Sequence, residues 1–243
     1  MEMEKRQIFG KTVRIGDGTF EWLLTEKLDG SNLCFFKWDG SVYVALRKNI
    51  INLDDLADDP AYFEAEKLYK GLEEWIEEHY EDLDRQLLPG AAICGEWLGM
   101  GQIKYPKDVF TKQYYMFAKA RVDETAPLRD VELTRFNYDP EDFHYVFRDD
   151  AIPDYIGVVP VVGRLRDTPT ADVLDGIYDT YAANANRPVE GIVVTQKEVP
   201  DRRCKYVRRK GGKLTAHITA EEMKARKAAG IARKQRHEHQ TNS

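Results

Sequence analysis

The pattern of hydrophobic and polar positions predicts mostly short β-strands with a few helices. Residues 22–28 alternate like a strand, and the turn Asp39-Gly40 joins two more strands over residues 32–38 and 42–47. Apolar residues at helical spacing predict one or two helices between residues 61 and 88 and another over residues 171–183. The remaining predicted strands are residues 91–98, 113–120, 144–147, 155–162, 191–196 and 204–208. This mixture predicts an α+β domain of antiparallel sheets flanked by helices.

The charge is distributed unevenly along the 243 residues. Residues 202–243 carry 13 Lys or Arg against 3 Glu, a net charge of +10, whereas residues 1–201 carry 23 against 39, a net charge of −16. Thr219 and Glu222 have the spacing of a helix N-terminal capping box, which predicts a basic helix in the tail. Such a tail is suited to contact a phosphate backbone, although a solvated helix that keeps the protein soluble accounts for the same charges equally well.

Two compositional features bear on location. No apolar run approaches the roughly 20 residues that span a bilayer, and the first residues lack the apolar core of a signal peptide, so we expect a cytoplasmic protein with no membrane partner. Cys34, Cys94 and Cys204 are odd in number, far apart and without CxxC spacing. We therefore expect reduced thiols rather than a disulfide framework or a zinc site.

The first candidate for chemistry is the segment EKLDGSN at residues 26–32. Lys27 leaves a predicted strand just before a glycine-containing turn, and in an extended strand Lys27 and Asp29 point to the same face. A lysine amine attacks phosphorus only when deprotonated, which nearby cations or desolvation favour. A hairpin turn with a surface lysine is the commoner meaning of KxDG when it occurs alone.

Two acidic residues stand in apolar surroundings. Glu96 lies in ICGEWLG, residues 93–99, and Glu190 in PVEGIVV, residues 188–194. A buried carboxylate is costly unless it is paired, hydrogen-bonded or bound to a metal, so both residues are candidates for function.

Four further residues fit the same chemistry less specifically. Arg47 ends the predicted hairpin, where it could reach a phosphate or ribose, and Phe117 could stack on a base although most strand aromatics are core. Arg203 and Lys205 lie on one face of a predicted strand, a pattern that random surface charge also produces often.

These segments resemble, in the same order, the nucleotidyltransferase motifs of the covalent nucleotidyltransferase superfamily, which comprises ATP-dependent DNA ligases, RNA ligases and mRNA capping enzymes. The resemblance covers about the first 210 residues. It implies an ATP-grasp-like ligase domain in which Lys27 is the adenylated nucleophile and Glu190 positions a metal ion. Arg203 and Lys205 would bind the α-phosphate and offset charge in the transition state. The resemblance implies that Glu26 and Phe117 contact the adenine and that Arg47 and Glu96 contact the ribose. It also implies that Asp29, Asn32 and Lys205 belong to the nucleotide-binding site.

The sequence departs from the family pattern at two positions. Arg203 stands where relatives usually have Lys, so Arg208 with Lys210 is an alternative register for the basic strand. Ala118 follows Phe117 where many relatives carry an acid.

The RNA ligase branch fits best. DNA ligases and capping enzymes continue into an oligonucleotide-binding barrel, and the 38 residues after Lys205 are too few for five strands. We therefore expect a nucleotidyltransferase domain over residues 1–213, a basic helical tail over residues 214–243 and no OB-fold domain. The implied activity is an ATP-dependent RNA ligase that uses Mg²⁺, with Mn²⁺ as the alternative ion, to join a 5′-phosphate end to a 3′-OH end.

Three alternatives share these features. A minimal ligase of DNA nicks has the same motifs, and a capping guanylyltransferase would form lysyl-GMP in place of lysyl-AMP. A non-catalytic nucleotide-binding or nucleic-acid-binding module is the alternative from a different class.

Overall fold

The computed structural model describes residues 21–47, 49–58, 69–197, 203–207, 209–210 and 213–214. The strands are β1 (Trp22–Lys27), β2 (Ser31–Trp38), β3 (Ser41–Ala45), β4 (Ile50–Asn52), β5 (Ala91–Trp97), β6 (Tyr114–Val122), β7 (Leu133–Asn137), β8 (Ile156–Val158), β9 (Val161–Leu165), β10 (Gly191–Gln196), β11 (Arg203–Tyr206), β12 (Arg209–Lys210) and β13 (Lys213–Leu214). The α-helices are α1 (Leu72–Gln86) and α2 (Ala171–Ala185). Short 3-10 helices cover Leu53–Asp58, Leu128–Asp130, Pro140–Asp142 and His144–Val146.

Two sheets organise these elements. The larger has the order β4-β3-β2-β5-β6-β7, with β8 parallel to β6, and the smaller has the order β11-β10-β1-β9 with antiparallel neighbours throughout. Strands β12 and β13 pair separately. The predicted α+β class with antiparallel sheets is confirmed.

Each helix buries an apolar stripe against one sheet. On α1, Leu72, Trp75, Ile76 and Leu83 repeat at helical spacing and join the core of the larger sheet. On α2, Leu174 is fully buried and belongs to a core cluster with residues of β1 and β10 in the smaller sheet. Burying each such side chain contributes roughly 1.5–3 kcal/mol, so the two faces hold the sheets in place.

The chain crosses from the larger sheet to the smaller at Val159 and Pro160. The Val159 amide donates to the Met116 carbonyl of β6, and one residue later the Pro160 carbonyl accepts the Glu26 amide of β1. Pro160 itself cannot donate to a ladder. The single strand predicted over residues 155–162 is therefore two strands, β8 and β9, in different sheets.

Residues 144–147 are not the strand that their composition predicts. Phe143, Val146 and Phe147 are buried while His144 and Tyr145 are exposed, a spacing of three that suits the 3-10 helix observed there. Strand β7, which pairs with β6 at the edge of the larger sheet, was not predicted.

The expectation of three reduced thiols is wrong for two of them. Cys34 on β2 and Cys94 on β5 are directly opposed in the antiparallel ladder, with Cα atoms 4.1 Å apart, and they form a disulfide. Their separation of 60 residues conceals this pairing in the sequence. Cys204 is a buried free thiol, and burial raises its pKa to about 11.

The remaining expectations concern the ends of elements and the tail. Helix α1 confirms a helix within residues 61–88, and residues 59–68 lie outside the described residues. The predicted tail helix and the proposed tail, residues 214–243, also fall outside them apart from Leu214. In the portion that the structure describes, no helix is long and apolar enough to cross a membrane.

Candidate active site

A cavity of about 570 Å³ lies between the two sheets. The smaller sheet contributes residues of β1, β10 and β11, and the larger contributes residues of β2, β5, β6 and β7. Of the residues predicted to form the site, those lining this cavity are Glu26, Lys27, Asn32, Arg47, Glu96, Phe117, Arg203 and Lys205. Five strands and a strand end thus bring together predicted residues that are up to 179 positions apart in the sequence.

Lys27 and Glu190 form an ion pair on one wall of the cavity. Strands β1 and β10 pair so that Lys27 is opposite Gly191, which places the preceding Glu190 beside the lysine. Lys27 Nζ lies 2.5 Å from Glu190 Oε1, and the two side chains are 20% and 0% exposed. The buried carboxylate therefore holds the amine at the cavity while leaving it accessible to a ligand.

Glu26 does not present its carboxylate to the cavity. Successive side chains of a strand point to opposite faces, so the side chain of Glu26 lies on the face of β1 opposite to that of Lys27. There both of its oxygens accept from the Arg187 guanidinium at 2.5 Å, and Oε2 also accepts from the Tyr181 hydroxyl at 2.7 Å. The carboxylate is therefore an internal anchor, and the predicted contact of Glu26 with the adenine stays a prediction that its backbone would have to fulfil.

Asp29 is likewise placed away from the cavity lining. Its Oδ2 accepts the Ile103 amide at 2.7 Å, and its own amide donates to the Tyr105 hydroxyl at 2.7 Å. Lys27 is the last residue of β1, so the alternation that would align the two side chains ends before Asp29. A Cβ on the following Gly30 would lie 2.3 Å from the Trp97 carbonyl oxygen, which explains why glycine is needed in this turn.

Asn32 and Glu96 form a cross-strand pair on the floor of the cavity. The Asn32 Oδ1 is buried and has no hydrogen-bond partner in the described part of the chain, so it is an acceptor available to a ligand. Burial raises the pKa of Glu96 to about 7, with Lys27 opposing and Glu190 reinforcing the shift. A β-bulge immediately before Glu96, where the Tyr114 ring packs against Gly95, shifts the register of β5 against β6.

Aromatic rings form the opposite wall. Phe117 and Tyr138 are nearly parallel, with an interplanar angle of 12° and centroids 6.4 Å apart, and Phe136 stacks on Tyr138 with centroids 5.9 Å apart. The Arg203 guanidinium lies 4.3 Å from the Tyr138 ring centroid and 6.0 Å from that of Phe117. This wall offers flat apolar surfaces of the kind on which a purine stacks.

Arg203 and Lys205 reach the cavity from the edge strand of the smaller sheet. Strand β11 pairs with β10 so that Arg203 is opposite Thr195 and Lys205 is opposite Val193, both of which line the cavity. The register with Arg203 and Lys205 therefore brings both cations to the site. Arg208, of the alternative register, lies outside the described residues. Arg47 is exposed at the rim.

Several lining residues were not predicted. Tyr69 is buried at the cavity, and its hydroxyl donates to the Asn32 carbonyl at 2.9 Å; burial raises its pKa to about 12. Tyr138, which follows an unpredicted strand, was also missed. Arg187, which does not line the cavity but anchors Glu26, was missed as well; it follows the Asn186 that ends α2 in a left-handed conformation. Only the apolar alternation of β10 could have indicated that Val193 and Thr195 face the ligand side.

The carboxylates of the site suit a divalent cation only with help from other ligands. Within the described residues no three His, Cys, Asp or Glu side chains cluster as a metal site. Glu190 and Glu96 interact electrostatically across Lys27, and both supply the hard oxygen atoms that Mg²⁺ and Mn²⁺ prefer. The arrangement fits an ion that takes its remaining ligands from nucleotide phosphates and water.

This cavity, with a lysine amine, three further cations and aromatic rings in its lining, is suited to bind a nucleotide. The model of the RNA ligase family matches residues 20–207, and the chain belongs to that family. No curated protein matches the chain.

Solved structures of RNA ligases are similar over most of this chain. A variant of Naegleria gruberi RNA ligase with ATP and Mn is 18% identical, with a TM-score of 0.45, and the match covers 77% of this chain and 49% of that one. An archaeal ATP-dependent RNA ligase is 18% identical, with a TM-score of 0.44, over 78% of this chain and 43% of that one. The chain spans about half the length of these solved ligases.

Proposed function

We propose that the protein is an ATP-dependent RNA ligase in which Lys27 forms a covalent bond to AMP. The observation that carries this proposal is the position of the Lys27 amine. It is 2.5 Å from a fully buried carboxylate, at a cavity lined by Arg47, Arg203 and Lys205. Membership of the RNA ligase family supports the same reaction, and the solved Naegleria gruberi ligase is a relative described with ATP and Mn.

The cavity suggests how ATP is held. The adenine would stack in the space bounded by Phe117 and Val193, with the ribose hydroxyls at Glu96 and Arg47. Asn32 Oδ1 would accept a hydrogen bond that no described residue supplies. Arg203 and Lys205 would then lie at the phosphates, where two cations favour binding of a polyanion and the loss of charge from a neighbouring ammonium.

In the first step the Lys27 nitrogen forms a bond to the α-phosphorus while the bond to the β-phosphate oxygen breaks and pyrophosphate leaves. The amine must first separate from Glu190 and lose a proton, and because the Lys27 side chain is 20% exposed this proton can pass to water. Arg203 and Lys205 would stabilise the negative charge on the phosphate oxygens in the transition state.

The second and third steps return Lys27 to its starting state. An oxygen of the RNA 5′-phosphate attacks the lysine-bound phosphorus, the nitrogen–phosphorus bond breaks, and the AMP is carried by the RNA end. The 3′-OH of the other end then loses its proton, attacks the 5′-phosphorus and displaces AMP, which seals the strand. Positioning of the ends supplies much of the acceleration.

Glu190, with Glu96 nearby, is the carboxylate we assign to a bound Mg²⁺ or Mn²⁺. When bound, such an ion offsets phosphate charge and aligns the leaving group. The fully buried Glu190 side chain is suited to this role because its position is fixed by β10.

Ligation of matched substrates tests the choice of RNA. The purified protein, with ATP and Mg²⁺, is given nicked duplexes that differ only in whether the strands at the nick are RNA or DNA. We expect faster sealing of the RNA nick. Preferential sealing of the DNA nick would favour the DNA ligase alternative, and labelling by GTP in place of ATP would favour a capping-type transferase.

A further inference from the structure

A second cavity of about 840 Å³ lies outside the nucleotide site. It runs between the start of α1 and residues 98–113, the segment that connects β5 to β6. Four lysines line it, namely Lys70, Lys104, Lys107 and Lys112, and we call this surface the basic groove.

The basic groove is positively charged on an acidic protein. Glu78 is the acidic residue among its described lining, and Asp108 is exposed next to Lys107. Residues 1–201 together carry a net charge of −16, so four lysines around one cavity are a local reversal of charge. Two other cavities show the contrast: a neighbouring one, which shares His79 and Tyr155 with the basic groove, is lined by three aspartates, and the other is lined by two aspartates and one lysine.

The floor of the basic groove is aromatic. Three rings are in mutual contact there: Tyr155 stacks on His79 with centroids 4.2 Å apart, and Trp75 is edge-on to both, at 5.6 Å from Tyr155 and 4.9 Å from His79. Burial lowers the pKa of His79, which favours the neutral ring at neutral pH. Flat neutral rings beneath exposed lysines are the combination that binds a polynucleotide, because bases stack on the rings and phosphates meet the cations.

The basic groove is joined directly to the turn that follows the nucleophile. Ile103 and Tyr105 belong to its lining, and both are hydrogen-bonded to Asp29 at 2.7 Å, two residues after Lys27. The Arg187 guanidinium, which anchors Glu26, also lies 4.5 Å from the ring centroid of Phe110 in the same lining. A polynucleotide strand bound in the basic groove would therefore lie next to Lys27.

We propose that the basic groove binds the sugar-phosphate backbone of the RNA substrate on the side of the KxDG turn opposite the ATP cavity. The proposal rests on the ligase function proposed above. Lys104 and Lys107 are exposed, and the four lysines come from two segments, Lys70 from just before α1 and the others from the connection between β5 and β6; cations spread over two segments suit a linear polyanion better than a single phosphate or a nucleotide. Asp29 thereby acquires a positioning role, since its carboxylate fixes the segment that carries Lys104.

Binding of a nicked RNA duplex by the full chain tests the basic groove. Binding is measured by fluorescence anisotropy in EDTA, so that no ligation occurs, over a series of salt concentrations. In Lys104→Ala/Lys107→Ala we expect weaker binding and a log–log salt slope smaller by about 1.4–1.8, because each lost phosphate contact removes roughly 0.7–0.9. In Lys104→Glu/Lys107→Glu we expect the dissociation constant to rise about tenfold or more at low salt.

The matched control is Arg121→Glu/Arg129→Glu. Both arginines are exposed, and they lie at and beyond the opposite end of β6 from the basic groove. This variant has the same change in net charge as Lys104→Glu/Lys107→Glu. We expect it to bind RNA nearly as the unmodified protein does, and an equal loss of affinity in both variants would overturn the proposal.

Self-adenylation separates this proposal from the ligase function. Both groove variants should label with ATP as fully as the unmodified protein. If the unmodified protein itself fails to label, the ligase function is wrong while the RNA-binding measurement still decides the groove. If labelling is normal but the groove variants bind RNA with unchanged affinity and slope, the groove proposal is wrong. The groove proposal would also be overturned if polyglutamate displaced the bound RNA as effectively as unlabelled RNA of the same charge does, since the site would then accept any polyanion.

Discussion

Arg187 offers a sharp test of how the nucleophile strand is held. It lies outside the family motifs, yet its guanidinium bonds both oxygens of Glu26, the residue before Lys27. The Glu26 side chain is 0% exposed and that of Arg187 is 6% exposed. Substitution Arg187→Met keeps most of the side-chain volume and leaves a buried carboxylate with Tyr181 as its remaining described partner.

The expected loss of stability follows from this burial. Removing one member of a buried ion pair costs about 3–5 kcal/mol, because the other charge stays buried without compensation. For a domain of this size that loss lowers the melting temperature by about 6–20 °C. Glu26→Gln combined with Arg187→Met should recover part of the loss, since no charge then remains buried.

Equilibrium urea denaturation of the four proteins in the double-mutant cycle measures the coupling between Glu26 and Arg187. The control is Arg129→Met, because Arg129 is 79% exposed and its ion pair with Asp130 is at the surface. That control should change the free energy of unfolding by less than about 1 kcal/mol. A loss in Arg187→Met no greater than in Arg129→Met would refute the anchoring role of this pair.

Three further predictions concern the site and the tail. The pKa of Glu96 is raised to about 7, so its contribution to stability is fully present below the ordinary glutamate pKa and is lost as pH rises through 7. The free energy of unfolding, relative to that of Glu96→Gln, should thus fall by up to about 3 kcal/mol between pH 4.5 and 8. Parallel pH profiles of the two proteins would contradict the shift. Glu190→Ala should lose ligation that added Mg²⁺ or Mn²⁺ restores only in part, and normal sealing of RNA by this variant would show that the metal assignment is wrong. Truncation after Lys213 removes six Lys or Arg, so it should spare self-adenylation and flatten the salt dependence of RNA binding; an unchanged affinity and slope would identify the tail as a solubilising segment.

The sequence predicted the parts of the site that depend on strand periodicity and order. Lys27, Glu96, Phe117, Arg203 and Lys205 line one cavity because each lies on or beside a strand whose apolar alternation is visible in the sequence. The two sheets were likewise expected as antiparallel structures. Their division into separate sheets was not, because it depends on the crossing at Pro160.

The errors arise where a partner is distant in sequence or a strand has ended. The Glu26 carboxylate points away from the cavity because Arg187, 161 residues later, supplies its counter-charge, and Asp29 turns away because β1 stops at Lys27. Cys34 and Cys94 meet only through the register of β2 with β5. Such pairings are set by tertiary structure, so local spacing gives no signal of them.

The most direct test of the central claim is the covalent labelling of Lys27. The purified protein is incubated with Mg²⁺ and ATP labelled at the α-phosphate, denatured, and compared with Lys27→Ala, and the labelled peptide is mapped by mass spectrometry. Lys37→Ala serves as a control, since Lys37 pairs with Asp84 and does not line the nucleotide cavity. We predict label on Lys27 in the unmodified protein and in Lys37→Ala, and none in Lys27→Ala. Undiminished labelling of Lys27→Ala would contradict the assignment of Lys27 as the nucleophile.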